Sequence, residues 1–252
     1  MDKAILKTLV YADIFDYPLT LREIHKWLIN KKATLQQIEK KLPQKNYYCL
    51  PGREKIIKIR KQREKQSKIY LRKAKIIALF LNIIPWIKLV GISGGLAMNN
   101  VLRKDDIDLF LITAKNRLWI SRLLALGLLS LIGQRRKAGD LGQKAAGKIC
   151  INTLLEEDCL EQANKDIYLA HEVLQMKVLW QRDGIYAKYL EDNFWAFKFL
   201  PNWIAALSSP RMRGSKKKIA NWIPAFAGMT MEKIAKWFQL KIMKAPKGQE
   251  RI

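Results

Sequence analysis

The first part of the chain carries an apolar pattern of helical period. Apolar positions recur three and four residues apart, at Ile5, Leu6, Leu9 and Val10. Because this spacing places side chains on one face of a helix, it predicts a helix from about Lys3 to Ile14. Pro18 ends any helix before it, since its ring cannot continue the helical hydrogen bonding.

Two capping signals follow this helix. Thr20 with Glu23, and Thr34 with Gln37, have the spacing of a capping box, in which each side chain bonds the backbone N–H of the other residue. Two short helices are therefore predicted to begin at these threonines. Strand-forming residues then flank the turn Pro51–Gly52, in the segment NYYCLPGREKIIKI, and predict a β-hairpin.

Three helices followed by a basic hairpin are typical of a winged-helix domain, which is predicted for residues 1–60. In such a domain the third helix can enter the major groove of DNA while the hairpin contacts phosphate. The residues predicted to face DNA are Gln36, Gln37, Lys40 and Lys41 on the helix and Arg53, Lys55 and Lys58 on the wing. A second interpretation stays open, because small helical modules also serve as packing or protein-interaction domains.

A charged segment and an apolar segment come next. Residues 55–75 are rich in Lys and Arg, and an apolar stripe of helical period then resumes, so a connecting helix is predicted over residues 61–84. The sequence from Leu118 to Gly133 is almost continuously apolar. It is shorter than the roughly 20 residues of a membrane span and contains Arg122, so we predict a buried helix and no stable membrane insertion.

The segment GISGGLAMNNVLRKDDIDLFLIT holds the candidate chemistry. Two parts of this region have the composition of buried strands. One is Ile87–Ser93, which overlaps the start of the segment, and the other is Ile107–Thr113, which ends it. Between them, Gly94–Gly95 turns the chain into a helix that is predicted to begin near Leu96. A glycine turn between a strand and a helix exposes backbone N–H groups that suit a phosphate.

Two carboxylates stand at the entry to the second strand. Side chains of a strand alternate between its faces, so Asp106 and Asp108 share one face and Ile107 points away. A buried charge is strongly unfavourable unless it is paired or binds a metal. Two adjacent carboxylates near a phosphate-binding turn suit a divalent metal bound to a triphosphate.

These residues resemble the polymerase-β-like nucleotidyltransferase superfamily in its minimal bacterial form. The family pattern is a hydrophobic residue, Gly, then Gly or Ser, a gap of about ten residues, and Asp-hydrophobic-Asp on the following strand. The matching positions are Ser93-Gly94-Gly95, the gap LAMNNVLRKD and Asp106-Ile107-Asp108.

The resemblance implies an α+β fold, with a mixed sheet flanked by helices over residues 85–207. It also implies Mg²⁺ held by Asp106 and Asp108, with the phosphates of a nucleoside triphosphate bound near Ser93, Gly94 and Gly95. The implied reaction is transfer of a nucleotidyl group to a hydroxyl acceptor, with two metal ions clamping the attacking and leaving oxygens.

Two departures from the family pattern would weaken this activity. Gly95 stands where a serine hydroxyl would contact phosphate. The third carboxylate of active members falls on a later strand, predicted here as KICINT, whose polar candidate is Asn152. An amide cannot take a proton near neutral pH. The candidate substitutes are Asp140, Glu156 and Glu157.

Composition and net charge indicate which kinds of partner and which cellular location to expect. The chain has 252 residues, 49% of them hydrophobic, which is enough for a substantial core. Its net charge of +25, from 47 Lys+Arg against 22 Asp+Glu, favours DNA, RNA, polyphosphate or an anionic membrane surface as partner. The three cysteines have an odd count and no CxxC spacing, which argues against a zinc ribbon or a disulfide framework and indicates a cytoplasmic location.

The last part of the chain breaks the earlier patterns. Residues 208–252 are predicted to be an atypical basic tail, in which SPRMRG and WIPAFAGMT resemble peptides translated from dispersed bacterial DNA repeats. The alternative is a basic amphipathic tail that meets a membrane or nucleic acid. Before the tail, His171 lies in an amphipathic segment, and we interpret it as a hydrogen-bonded structural residue.

Two functions from different classes emerge from the sequence. The first is a nucleotidyltransferase-like protein that binds Mg²⁺ and a nucleoside triphosphate. The second is a DNA-binding regulator whose nucleotidyltransferase-like domain is catalytically inert and senses nucleotide. The acidic pair favours catalysis, whereas Asn152 favours sensing.

Overall fold

The computed structural model describes residues 2–203, and the predicted tail lies outside them. The described residues form an α+β fold around a four-stranded mixed sheet. The helices are α1 (Lys3–Asp13), α2 (Leu21–Lys26), α3 (Leu35–Glu39), α4 (Ile56–Leu81), α5 (Gly94–Ala97), α6 (Leu118–Leu131), α7 (Ile167–Gln175), α8 (Ile185–Asp192) and α9 (Ala196–Phe199). The strands are β1 (Ile87–Ile92), β2 (Ile107–Thr113), β3 (Ile149–Glu156) and β4 (Lys177–Gln181).

The sheet has the order β3-β2-β1-β4 and is buried by helices on both faces. Strand β1 runs antiparallel to β2 and β4, whereas β2 runs parallel to β3. Alternate residues of β2 enter different cores: Leu109 and Leu111 pack with α4 and α6, and Phe110 and Ile112 pack with α7, α8 and α9. Burial on both faces explains why β1 and β2 are nearly continuous apolar runs.

The N-terminal helices begin where the capping signals predict. The Glu23 carboxylate accepts a hydrogen bond from the Thr20 N–H at 2.8 Å, and the Thr20 hydroxyl accepts one from the Glu23 N–H at 3.3 Å. Thr34 and Gln37 form the second capping box in the same way. The three predicted helices are therefore confirmed as elements.

The predicted hairpin is wrong. Tyr48 makes one isolated antiparallel bridge with Leu19, and the residues after the Pro51–Gly52 turn enter α4 instead of a second strand. The segment from Ile56 onward buries Ile56 and Arg60 at helical spacing and is rich in good helix formers, which outweighs the local strand pattern. The winged-helix fold is therefore not confirmed.

One buried arginine joins the N-terminal helices to α4. Arg60 is 5% exposed, and its guanidinium donates to the two carboxylate oxygens of Glu23 at 2.7 and 2.9 Å. It also donates to the Pro18 carbonyl and to Glu64 and lies over the Tyr17 ring. Bidentate charge-assisted bonds of this kind fix the relative position of the two helices.

The N-terminal helices also share a core with the far side of the sheet. Trp27 and Ile29 are buried in the same cluster as α7, α8 and α9. The Asn202 side chain accepts a hydrogen bond from the Ala33 N–H at 3.1 Å and donates one to the His25 carbonyl at 2.7 Å. These contacts hold the N-terminal residues against the sheet.

The apolar segment that was predicted as a buried helix forms α6, and one face of it is buried. Ala125 and Leu129 lie in the core, whereas Leu131 is 84% exposed. Within residues 2–203, none of the helices combines the length and the hydropathy that a membrane crossing requires.

The Arg60 anchor gives a test by mutation. Glu23→Ala leaves a buried guanidinium without its bidentate partner and removes a capping bond, so we expect the free energy of unfolding to fall by about 3–5 kcal/mol. Glu64→Ala is the matched control, because its carboxylate is more exposed and pairs with Arg60 only at helical i,i+4 spacing. Its cost should stay below about 1 kcal/mol in urea denaturation. Equal costs for the two variants would contradict the anchor.

Candidate functional site

The two acids of the sequence motif meet at the start of β2. The carboxylate oxygens of Asp106 and Asp108 and the Sγ atom of Cys150 offer three ligand atoms within 4.8 Å of one another. Cys150 joins the group because β3 runs parallel to β2 with Cys150 opposite Asp108. No second group of this kind is found among residues 2–203.

The glycine turn lies directly against the acidic pair. Gly94 has a φ of +60°, and a Cβ atom on it would lie 2.9 Å from the Asp108 Oδ2. The Ser93 N–H donates to the Asp108 carbonyl at 3.1 Å, which fixes the turn to β2. Glycine is therefore required at position 94 both for its backbone conformation and for the close approach of the carboxylate.

The second glycine of the turn is constrained by a different contact. A Cβ on Gly95 would lie 3.2 Å from the Asn100 carbonyl oxygen. A serine at this position would therefore need the loop around Asn100 to shift by a few tenths of an ångström. This contact gives a packing reason for glycine at position 95.

The Asn152 side chain, the predicted third-carboxylate position, faces the turn. The Asn152 Nδ2 on β3 lies 3.5 Å from the Ser93 Oγ. A side chain at position 152 therefore points toward Ser93. Asn152 itself adds an amide to this group and no charge.

The three carboxylates named as substitutes have other partners. Glu156 accepts a hydrogen bond from the Leu118 N–H, and Glu157 pairs with Lys88. Asp140 lines a small cavity together with Asp106, but its carboxylate pairs with Lys148 at 2.9 Å and accepts from the Lys137 N–H at 3.0 Å. None of the three lies within the 4.8 Å group.

An arginine that sequence reasoning missed neutralises part of the acidic pair. The Arg136 Nη1 donates to the Asp106 Oδ2 at 2.8 Å and lies 3.9 Å from the Cys150 Sγ. The Arg136 N–H bonds the Ile149 carbonyl, which holds the loop beside β3. Arg136 is one of 47 basic residues, so nothing in the sequence distinguishes it from the others.

Electrostatics make Asp108 the unusual acid of the site. Burial and, after it, the neighbouring charge of Asp106 together raise the pKa of Asp108 to about 7, although Arg136 acts in the opposite direction. Burial and the two acids also raise the pKa of the Cys150 thiol. Near neutral pH, Cys150 therefore stays a neutral thiol, and Asp108 is divided between its two protonation states.

A third carboxylate approaches the turn from α7. Glu172 accepts a hydrogen bond from the Gly94 N–H and another from the Gln175 side chain. Burial raises the pKa of Glu172, and its charge contributes to the raised pKa of Asp108. Sequence reasoning missed Glu172 because it lies in an amphipathic helix far from the motif, without a local signal.

None of the residues predicted to face DNA belongs to the group of three ligand residues. Gln36, Gln37, Lys40, Lys41, Lys55 and Lys58 are exposed. Lys41 pairs with Asp2 at 2.7 Å, and Arg53 pairs with Asp13 at 2.9 Å, so these two cations are partly neutralised within the protein. Contact with DNA stays a prediction.

Comparisons with known proteins add little. No protein-family model matches the sequence, and no curated protein matches it. A solved structure described as "Crystal structure of the toxin-antitoxin with AMP-PNP" has a chain that is 20% identical, with 46% of this chain and 82% of that chain covered and a TM-score of 0.28. At this TM-score the similarity supports no conclusion about fold or function.

The contact between Gly94 and Asp108 can be tested with a second glycine as control. Gly52 also has a positive φ, of +79°, but has open space around its Cβ position. Gly52→Ala should cost only the backbone strain, about 1–2 kcal/mol of unfolding free energy. Gly94→Ala should cost at least about 1 kcal/mol more, because the methyl group meets a carboxylate oxygen.

Gly94→Ala is expected to lower the free energy of unfolding by more than Gly52→Ala does. This difference should disappear when Asp108→Ala is already present, as measured by urea denaturation of the single and double variants. An excess that persists in the double variant would show that some other contact constrains Gly94.

Proposed function

We propose that the protein binds a divalent metal ion, Mg²⁺, together with a nucleoside triphosphate and transfers a nucleotidyl group to a hydroxyl acceptor. The observation that carries this proposal is the pair Asp106 and Asp108, held against the Gly94 turn at the start of β2. Two carboxylates beside a glycine turn suit a metal bound to phosphate. The net charge of +25 favours an anionic ligand as well.

The donor atoms of the site fit Mg²⁺ better than a softer metal. Mg²⁺ prefers oxygen ligands and keeps several waters, so two carboxylates with phosphate oxygens are enough to hold it. The third potential ligand, Cys150, has a raised pKa and would have to lose its proton to bind a soft metal. Asp106 and Asp108 would therefore hold the ion, and Cys150 would stay outside its ligand set.

The residues around the acidic pair have separate tasks in this proposal. When bound, the metal would neutralise charge on the phosphates as the bond to the leaving group breaks. Asp106 and Asp108 position it, and the backbone N–H of Gly95 binds a phosphate oxygen, because the Gly94 N–H is already bonded to Glu172. Arg136, which pairs with Asp106 at 2.8 Å, supplies a cation that can pair with phosphate beside the acids.

The proton of the attacking hydroxyl needs an acceptor. Asn152, to which the resemblance assigns the third-carboxylate position, cannot accept a proton near neutral pH. Glu172 is the remaining carboxylate at the turn, and its raised pKa brings it closer to the range that suits a general base. We therefore assign proton transfer to Glu172 in an active enzyme.

A second candidate function is nucleotide sensing without transfer. The observation that favours it is Asn152, whose amide lies 3.5 Å from Ser93 where an active member would have an acid. In this case the site would bind metal and nucleotide, and the nucleotide would be released unchanged. The N-terminal helices would then carry the response, with DNA as the partner in the regulator hypothesis.

Metal-dependent binding is the first test. Asp106→Asn and Asp108→Asn remove one metal ligand each, so we expect each variant to lose at least about tenfold in calorimetric affinity for Mg²⁺ with triphosphate. Asp105→Asn is the matched control, because the Asp105 side chain accepts a hydrogen bond from the Leu102 N–H at 2.7 Å, which an amide oxygen can replace. Unchanged binding in both Asp106→Asn and Asp108→Asn would refute the proposal.

Incubation with labelled triphosphate and an RNA, protein or small hydroxyl acceptor then separates enzyme from sensor. Transfer that is lost in Glu172→Gln supports the enzyme with Glu172 as base. Binding without transfer, and transfer gained in Asn152→Asp, would identify the natural protein as a sensor.

A further inference from the structure

An aromatic cavity opens beside the glycine turn. Its volume is about 190 Å³, and it lies between the N-terminal helices and α7. Gly94, Gly95 and Glu172 form the end nearest the acidic pair. The rings along its wall are Tyr11, Phe15, Tyr17, Trp27, Tyr168 and His171.

The charge of this cavity differs from that of the whole chain. Although the protein has a net charge of +25, none of the described residues that line the cavity is Lys or Arg. Glu172 is the one acid in the lining. The cavity therefore suits a planar uncharged group and disfavours a phosphate.

A buried histidine in the wall has an unused polar atom. His171 is 5% exposed, stacks on Tyr11 with ring centroids 4.2 Å apart, and lies 5.1 Å from the Trp27 ring. Its Nε2 has no hydrogen-bond partner among the described residues. The sequence predicts a hydrogen-bonded structural histidine; His171 is buried, but its Nε2 lacks a hydrogen bond.

A buried polar atom without a partner costs stability unless a ligand or water satisfies it. Burial lowers the pKa of His171 to about 3, so the ring is neutral at physiological pH. A neutral imidazole nitrogen can either donate or accept a hydrogen bond. His171 therefore enters the cavity wall as an uncharged ring.

We propose that this cavity binds the base of the nucleoside triphosphate, an inference that rests on the proposed function. A cavity of about 150 Å³ holds a benzene ring, so 190 Å³ accommodates one nucleobase. Aromatic walls, with the neutral His171 ring among them, stack on any base. Because Gly94 and Gly95 belong to both sites, a base in the cavity leaves its phosphates at the acidic pair.

The base site is built from two distant parts of the chain. Phe15 follows α1 and is 42% exposed, and Tyr168 on α7 is 51% exposed. Both rings line the cavity, so both are accessible to an entering base. The N-terminal helices thereby become part of the nucleotide site.

The test compares two ligands that share the phosphates and differ in the nucleoside. Calorimetry with Mg²⁺ should show ATP binding to the unmodified protein at least about tenfold more tightly than inorganic tripolyphosphate, because stacking adds to the phosphate contacts. Tripolyphosphate carries the larger negative charge, so electrostatic attraction to the basic protein cannot explain tighter binding of ATP.

Variants then assign the preference to the cavity. Phe15→Ala, Tyr168→Ala and His171→Gln should each weaken ATP binding by roughly three- to tenfold and leave tripolyphosphate binding unchanged. Phe194→Ala, which removes a 59% exposed ring outside the cavity, and His25→Gln, which alters the second histidine, are the matched controls. Both controls should bind the two ligands as the unmodified protein does.

The outcomes distinguish a failure of the base site from a failure of the proposed function on which it rests. Equal binding of ATP and tripolyphosphate by the unmodified protein would overturn the base site and leave the metal and phosphate site standing. A variant that weakens both ligands alike would also overturn it, since the ring would then act on the fold and not on the base. If the unmodified protein binds neither ligand with Mg²⁺, the proposed function fails and the base site fails with it.

Discussion

The close approach of two carboxylates and a glycine at the start of β2 is the constraint on which the site depends. Asp106 and Asp108 repel each other within 4.8 Å, and burial keeps Asp108 protonated up to a pH of about 7. An unfolded chain loses this proton near pH 3.9, so the folded state binds more protons between these values. The free energy of unfolding therefore falls as pH rises from about 4 to about 7, and the penalty is constant above that range.

The fold tolerates this cost through Arg136 and through a large buried sheet. Such a cost is typical of a site that is completed by a cation.

The N-terminal helices pack beside this site, and nothing in their own sequence indicates that they do so. Arg60 joins them to α4 through Glu23, and Trp27 and Ile29 join them to the core beneath α7. This packing brings aromatic rings over the glycine turn and forms the cavity that we assign to the base. The same helices present exposed lysines on their outer surface, so a nucleotide-dependent contact with an anionic partner is compatible with the arrangement.

Local signals could be read from the sequence, and distant contacts could not. Capping at Thr20 and Thr34, the strands β1 and β2, and the shared face of Asp106 and Asp108 follow from spacings of a few residues. The hairpin failed because alternation over a few residues near Ile56 competes with helical burial that continues to Leu81. Arg136, Cys150 and Glu172 reach the site only through loop geometry, parallel pairing and helix packing. The cavity depends on α1 and α7, which are more than 150 residues apart in the chain.

Direct titration of Asp108 tests the account most sharply. Carbon-13 NMR of labelled aspartate side chains, assigned by comparison with Asp108→Asn, reports the protonation of this carboxyl with and without Mg²⁺ and triphosphate. The account predicts a pKa of about 7 without metal, raised by burial and by Asp106, and a pKa well below that when metal and nucleotide are bound, because the cation favours the charged form. An ordinary aspartate pKa without metal, or the same value with and without Mg²⁺ and triphosphate, would contradict it.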